Sequence, residues 1–374
     1  MRRLIELWLL ASVGVGLYAQ QPPAGSEQLQ QAIALHQSGD LDGAIRAYRE
    51  YLAAQPDSIE ARSNLGAALA RAGRYEEAIA EYNRALARSS QNPALLLNLG
   101  LAYYKTGRPA EAATRFESAI SLAPQFKEQV TMLLASCYNS LGRYKESAAL
   151  LAPLESSKSA DPAFDYLYGT ALIGDGRSAE GGVVIGRILG RGESAEGRLL
   201  EGTMKLQAYD YDGARVALEK SIALNGRLAG VHARLGELLM ARGEIGPAAA
   251  AFTEELGLDP GDFVSNLNLG VLAKQDQDYD QARRYFDRAL QSRPNDPGVR
   301  YQVANVDLAT GHFEQARHAL ESLIGESPNF GEAHATLATV YYRLGRAADG
   351  DRERAMAEKL IDQQEVAQRG DRPR

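Results

Sequence analysis

Cysteine is all but missing from this sequence: Cys137 stands alone among 374 residues. No intramolecular disulfide is possible, so stability must come from packing. Cys137 lies inside a helical pattern and reads as a small buried hydrophobe. Histidine is also scarce. His36, His232, His312, His318 and His334 form no HExxH pair and no i, i+4 pair, which removes the helical zinc site as a reading. There is no GxSxG elbow, no GxxxxGK[ST] phosphate loop and no Cys/His pattern of a nucleophile site. Clusters of Lys and Arg are absent and the formal net charge is −7, which argues against nucleic acid or anionic lipid as the main partner. The reading is of a chain that is not an enzyme and carries no cofactor or metal.

The composition that remains, 45% hydrophobic and 24% charged, is that of a folding chain with no disorder signature. The start, "MRRLIELWLLASVGVGLYAQ", has a basic pair at Arg2 and Arg3, an apolar run from Leu4 to Leu17, and small Ala19 before polar "QQPPAG". This pattern predicts a secretory signal at 1–19, followed by a linker at 20–24, and a periplasmic or secreted mature protein with no direct membrane insertion. The alternative is an uncleaved anchor facing the periplasm, although Glu6 interrupts a run shorter than the roughly 20 residues that span a bilayer.

The strongest positive signal is a period. Small residues recur at Ala32, Gly66, Gly100, Ala135, Gly169, Gly202, Gly236, Gly270, Ala304 and Ala338, in steps of 33 to 35. A second small series runs through Ala44, Ala78, Ala112, Ser147, Gly181, Ala214, Ala248, Ala282, Ala316 and Gly350. Within one repeat the apolar residues fall at helical spacing, as at Leu65 and Leu69, then Tyr75, Ala78, Ile79, Tyr82, Ala85 and Leu86. Each repeat is therefore two short helices joined by a tight turn. Gly39, Gly73, Gly107, Gly142, Gly176, Gly243, Gly311 and Gly345 occupy that turn, where positive φ ends the first helix. Pro56, Pro124, Pro260, Pro294 and Pro328 follow the second helix, where a missing N–H does no harm. Tyr48, Tyr82, Phe116, Phe252 and Phe286 fill the space beside the small residues.

These residues resemble the tetratricopeptide repeat (TPR) family. "LLNLGLAY", "AATRF" and Pro124 of the third repeat match its pattern most fully. The family's tryptophan is absent from the repeats, since Trp8 lies in the signal, and the fourth to sixth repeats lack several consensus residues. The resemblance implies an all-α, right-handed α-solenoid of about ten helix-turn-helix repeats with a C-terminal capping helix. Repeats 1–4 take 25–161, a degenerate glycine-rich fifth repeat 162–194, and repeats 6–10 with the cap 195–364, before a disordered tail at 365–374. Between Gly169 and Gly202 lie ten of the 36 glycines, so the fifth repeat reads as pliable and as a candidate hinge. The second helix of the last repeat, "ADGDRERAMAEKLIDQQEVAQ", places charge where a further repeat would dock.

One stretch mimics a calcium loop: Asp276, Asp278, Asp280 and Asp287 have the right spacing, but Gln281 stands where the loop needs Gly. Capping and the helix dipole account for aspartates at a helix start. Glu76, Glu77, Glu254 and Glu255 read as residues of solvated faces.

The TPR resemblance further implies a concave groove lined by the first helices. By register it presents Leu97, Leu101 and Tyr104 from the third repeat, Met132 and Asn139 from the fourth, and Tyr166 and Ile173 from the fifth. Leu199, Leu206, Met240, Val264, Leu267, Val271, Tyr301 and Asn305 continue the series. Asn64, Asn98 and Asn268 precede the small residue by two positions. In relatives, asparagines at that place hold a peptide backbone through paired hydrogen bonds. The carboxylate clamp of chaperone-binding relatives is not matched, since Ser63 and Ala67, Leu97 and Leu101, or Tyr301 and Asn305 stand at its places. The expectation is a scaffold of the cell envelope that binds a peptide or helix of a partner protein in this groove. The alternative is a substrate- or carbohydrate-binding arm of a glycan-export or secretion machine.

Overall fold

Helix ends are set locally. At all eight turn glycines φ lies between 72° and 88°, a region a side chain resists. The second repeat shows the geometry: Gly73 N–H donates to Ala70 O at 3.1 Å and Arg74 N–H to Leu69 O at 2.9 Å, which satisfies the last carbonyls of the helix. In eight of the ten repeats the next helix then starts in one of two ways, the exceptions being the helices that follow Glu244 and His312, which have no side-chain cap. Asp40, Asp210 and Asp278 accept the backbone N–H of Gly43, Gly213 and Gln281. Elsewhere Arg74, Arg108, Arg143, Arg177 and Arg346 pair with an acid three residues on, such as Glu77 or Asp349.

The computed structural model describes residues 27–158 and 160–370, apart from the side chains of 364–370. The expected signal and linker lie outside the described residues, as do positions 371–374 of the expected tail. Among the described residues the fold is all-helical, with 20 helices paired as TPR-like repeats and no strands. They fall into two compact lobes that divide between Val231 and His232.

In the first lobe the pairs are α1 (Glu27–Ser38) with α2 (Leu41–Ala54), α3 (Ile59–Arg71) with α4 (Tyr75–Leu86), and α5 (Pro93–Lys105) with α6 (Pro109–Leu122). They continue with α7 (Lys127–Ser140) and α8 (Tyr144–Leu151), α9 (Pro162–Gly174) and α10 (Ser178–Leu189), and α11 (Ala195–Gln207) and α12 (Tyr211–Asn225). Pro153 cuts α8 short, and a 3₁₀ turn with one helical turn at Glu155–Lys158 completes that repeat. The second lobe holds α13 (Val231–Ala241) from its second residue on, with α14 (Ile245–Leu258), and α15 (Phe263–Gln275) with α16 (Tyr279–Ser292). It ends with α17 (Pro297–Ala309) and α18 (Phe313–Glu326), then α19 (Gly331–Arg343) and α20 (Ala347–Gly370). α20 continues through residues 365–370, which the sequence reading gave to the tail. It buries Ala357 and Leu360 and leaves Arg352, Arg354, Glu358 and Lys359 exposed.

Both small series are buried in every repeat. The reason is visible at Gly66, Gly100, Gly236 and Gly270. A Cβ at these positions would come within 2.5–2.7 Å of Tyr82, Phe116, Phe252 and Phe286, so the ring of the second helix lies directly on the backbone of the first. Neighbouring repeats are joined by a second device. Tyr138 Oη donates to Glu117 of the preceding repeat at 2.8 Å, and Tyr341 Oη to Glu321 at 2.7 Å, while Arg143 and Arg346 stack on the two rings. Burial and then the neighbouring carboxylate push each phenol up to about 12.

Candidate binding face

First helices of successive repeats touch directly: in the first lobe α1 with α3, α3 with α5, α7 with α9 and α9 with α11, and in the second α15 with α17 and α17 with α19. Their shared face is therefore partly a seam, and side chains at its edge are covered by the next helix. Tyr104, Tyr166, Ile173 and Leu199 are buried in it. In the first lobe Asn64, Leu97, Asn98, Leu101, Met132, Asn139 and Leu206 are half-buried. In the second lobe the same holds for Met240, Val264, Leu267, Asn268, Val271, Tyr301 and Asn305. None of these residues is fully exposed.

Polar side chains stitch the seam. Tyr104 Oη pairs with Ser136 Oγ at 3.3 Å, Asn139 Nδ2 donates to Leu167 O at 3.0 Å, and Tyr301 Oη pairs with Thr336 Oγ1 at 3.0 Å. Lys274 Nζ donates to Gln302 at 2.6 Å, and burial holds its pKa below the usual lysine range. Ser136, Lys274, Gln302 and Thr336 did not stand out in the sequence, because their role depends on the helix next door. Tyr104, Asn139 and Lys274 all sit four residues after the small residue, and that shared register was the available signal.

The asparagines divide by use. Asn268 Nδ2 donates to Val264 O at 2.9 Å and Asn305 Nδ2 to Tyr301 O at 3.0 Å, each within its own helix. Asn139 is engaged with Leu167. Asn64 on α3 and Asn98 on α5 occupy equivalent places in adjacent, touching helices, and their amides bond no described residue. Leu97 and Leu101 lie beside Asn98 on α5 and pack partly on the core, with part of each side chain open to solvent. The first lobe thus offers two uncommitted amides beside an apolar shelf.

Other candidate chemistry is absorbed by structure. His36 is buried edge-to-face on Tyr48, and burial together with Arg71 lowers its pKa to about 4. His334 bridges Glu353 and Pro328 O at 2.6 and 3.0 Å, and His232 pairs with Glu254 at 3.0 Å. Asp278 caps α16. Among the described residues no group of three His, Cys, Asp or Glu is placed to hold a metal, and no helix is long and apolar enough to cross a membrane. One expectation needs correction: Glu255 is fully buried, because its carboxylate accepts the backbone N–H groups of His232 and Ala233 at the start of α13, at 3.1 and 3.3 Å.

Comparison with known proteins agrees with this architecture. One tetratricopeptide repeat family model matches residues 29–93 and 234–297, and a second matches 69–125, 105–170 and 273–338. Together they span about two thirds of the chain. The TPR repeat-containing thioredoxin TTL4 of Arabidopsis thaliana is 30% identical over 88 residues, 24% of this chain and 13% of that protein. The match therefore takes in only about an eighth of that relative. The crystal structure of the APC/C hetero-tetramer Cut9-Hcn1 aligns over 90% of this chain and 82% of that one, with a TM-score of 0.50 and 13% identity. The crystal structure of MamA covers 44% of this chain and 96% of its own, with a TM-score of 0.40 and 20% identity. The likeness to the Cut9-Hcn1 structure shows the fold alone.

Proposed function

Because the chain belongs to the tetratricopeptide repeat family, we propose that it is a non-catalytic scaffold of the cell envelope, holding an extended segment of a partner protein against α3 and α5. The observation that carries this reading is the pair Asn64 and Asn98. An amide left unbonded in a half-buried place gives up hydrogen bonds, and a peptide backbone restores both its donor and its acceptor without a demand on side-chain identity. Leu97 and Leu101 supply apolar contact for a partner side chain. The basic pair, the apolar run and Ala19 at the start of the chain support the envelope assignment.

The test is a crosslinking pull-down from envelope extract with residues 20–374, beside Asn64→Ala/Asn98→Ala and Leu97→Ser/Leu101→Ser variants. Circular dichroism checks that each variant folds. Removing one backbone-reading amide weakens binding by about 1 kcal/mol, so the double variant is expected to lose roughly 30-fold in affinity. Equal capture by all three forms would move binding off this face. Recovery of the signal-bearing chain in the cytoplasm would defeat the envelope assignment.

A further inference from the structure

We propose that the turn between α11 and α12 is a second recognition point, which takes an arginine of a basic partner segment onto the face of Tyr209. In eight of the ten repeats this turn holds glycine with positive φ. In the sixth repeat Tyr209 takes the same backbone conformation, at φ 60°, and the residue is 79% exposed. An aromatic residue in the left-handed region is an outlier, and here no burial offsets the strain. Tyr211 stands edge-to-face against it, with ring centroids 6.3 Å apart and planes at 89°. This contact orients the Tyr209 ring and leaves most of it open to solvent.

The molecule itself shows which group such a ring accepts. In the third, fourth and tenth repeats the residue after the turn glycine is Arg108, Arg143 or Arg346. Its guanidinium lies 4.6, 4.1 or 4.6 Å from the ring centre of Tyr103, Tyr138 or Tyr341. The sixth repeat reverses the arrangement. Lys205 stands where those tyrosines stand, Asp210 stands where those arginines stand, and the ring has moved outward to position 209. The ring is kept, but the cation now at the pair's inner place, Lys205, is held by Glu201 at 3.0 Å, and no guanidinium of the described residues lies on Tyr209. A guanidinium from a partner completes the stack, with the Asp210 carboxylate one residue away and an overall charge of −7 favouring a basic segment. Arginine fits better than lysine, because its planar group stacks on the ring while a compact ammonium stays hydrated.

The test uses the full chain with ¹³C-labelled tyrosine rings, titrated with a tetra-arginine peptide, a tetralysine peptide, a proline-rich peptide and a cello-oligosaccharide. The Tyr209 and Tyr211 signals are expected to shift saturably with the arginine peptide, with at least fivefold weaker response to the lysine peptide. Tyr209→Gly should abolish the response while keeping or raising the melting temperature, since glycine suits this backbone. Tyr209→Phe should preserve it, and Asp210→Asn, which still caps α12, should weaken it. The Asn64→Ala/Asn98→Ala variant should respond like the natural chain, which separates this site from the first-helix face. Equal responses to both cationic peptides that survive Tyr209→Gly would reduce the effect to general charge attraction. A ring that answers only to the saccharide or the proline-rich peptide, or to nothing, would overturn the proposal.

Discussion

The third and fifth repeats reach the same two-helix shape by different packing. In the third, the ring of Phe116 lies on Gly100, and a Cβ there would be 2.7 Å from it. In the fifth, Ile185 replaces the ring and Gly169 approaches Val184 and Leu200 instead. Gly174 makes room for Tyr144 of the preceding repeat, whose ring would lie 2.3 Å from an added Cβ. The fifth repeat also has an electrostatic centre. Asp165 is fully buried on α9 and pairs with Arg187 at 2.7 Å and Arg191 at 2.8 Å, and Arg187 reaches Glu155 at 3.3 Å. Aliphatic contact and a buried aspartate held by two partly exposed arginines thus replace a ring, and several of the glycines that made this repeat look weak are close-approach points.

The comparison breaks most sharply if the ring is removed. Phe116→Ala should cost about 3–5 kcal/mol in denaturant unfolding, whereas Ile185→Ala should cost about 2–4. Next comes the ion cluster. Asp165→Ala removes the shared anchor of two partly exposed arginines and should destabilise by about 2 kcal/mol, with the third repeat unaffected in local hydrogen exchange. Adding a methyl tests close approach in both repeats at once, and Gly100→Ala and Gly174→Ala should each cost about 1–3 kcal/mol because a packed ring must shift.

A smaller effect has the opposite sign. Gly186 is exposed on α10 with open space around it, so Gly186→Ala should stabilise by about 0.5–1 kcal/mol. We expect exchange across residues 169–202 to be faster than across 93–122, and this variant to narrow the gap. Uniform protection would remove the idea of a pliable fifth repeat. A pH series supplies a reference outside both repeats. His36 has a folded pKa near 4, below its unfolded value, so the unfolded state takes up the proton first. The His36 contribution to stability should be full above about pH 6.5, be lost progressively as pH drops from about 6.5 to 4, and change no further below. His36→Leu should flatten that window, as read by melting temperature.

Repeat boundaries and turns could be read directly because they rest on local chemistry. Positive φ at Gly73, the cap at Asp278 and the spacing of Ala78, Tyr82 and Ala85 each depend on a few neighbouring residues. The binding face was legible only as a register. Leu97 and Leu199 hold the same place in their repeats, yet one is half-buried and the other buried, because cover depends on the residues of adjacent helices.

What the sequence by itself determined is the number, period and polarity of the helix pairs, since helix ends and the burial of small residues follow from spacing within about 35 positions. Only the tertiary structure decided that Glu255 caps a helix 23 residues back, that Asp165 is clamped from 22 and 26 residues ahead, and that Asn64 and Asn98 are left unbonded. It also decided that Tyr209 stands in solvent. Each of these is a property of which side chains meet across helices, and a repeat fixes the backbone on which they meet while leaving their chemistry to vary from one pair to the next.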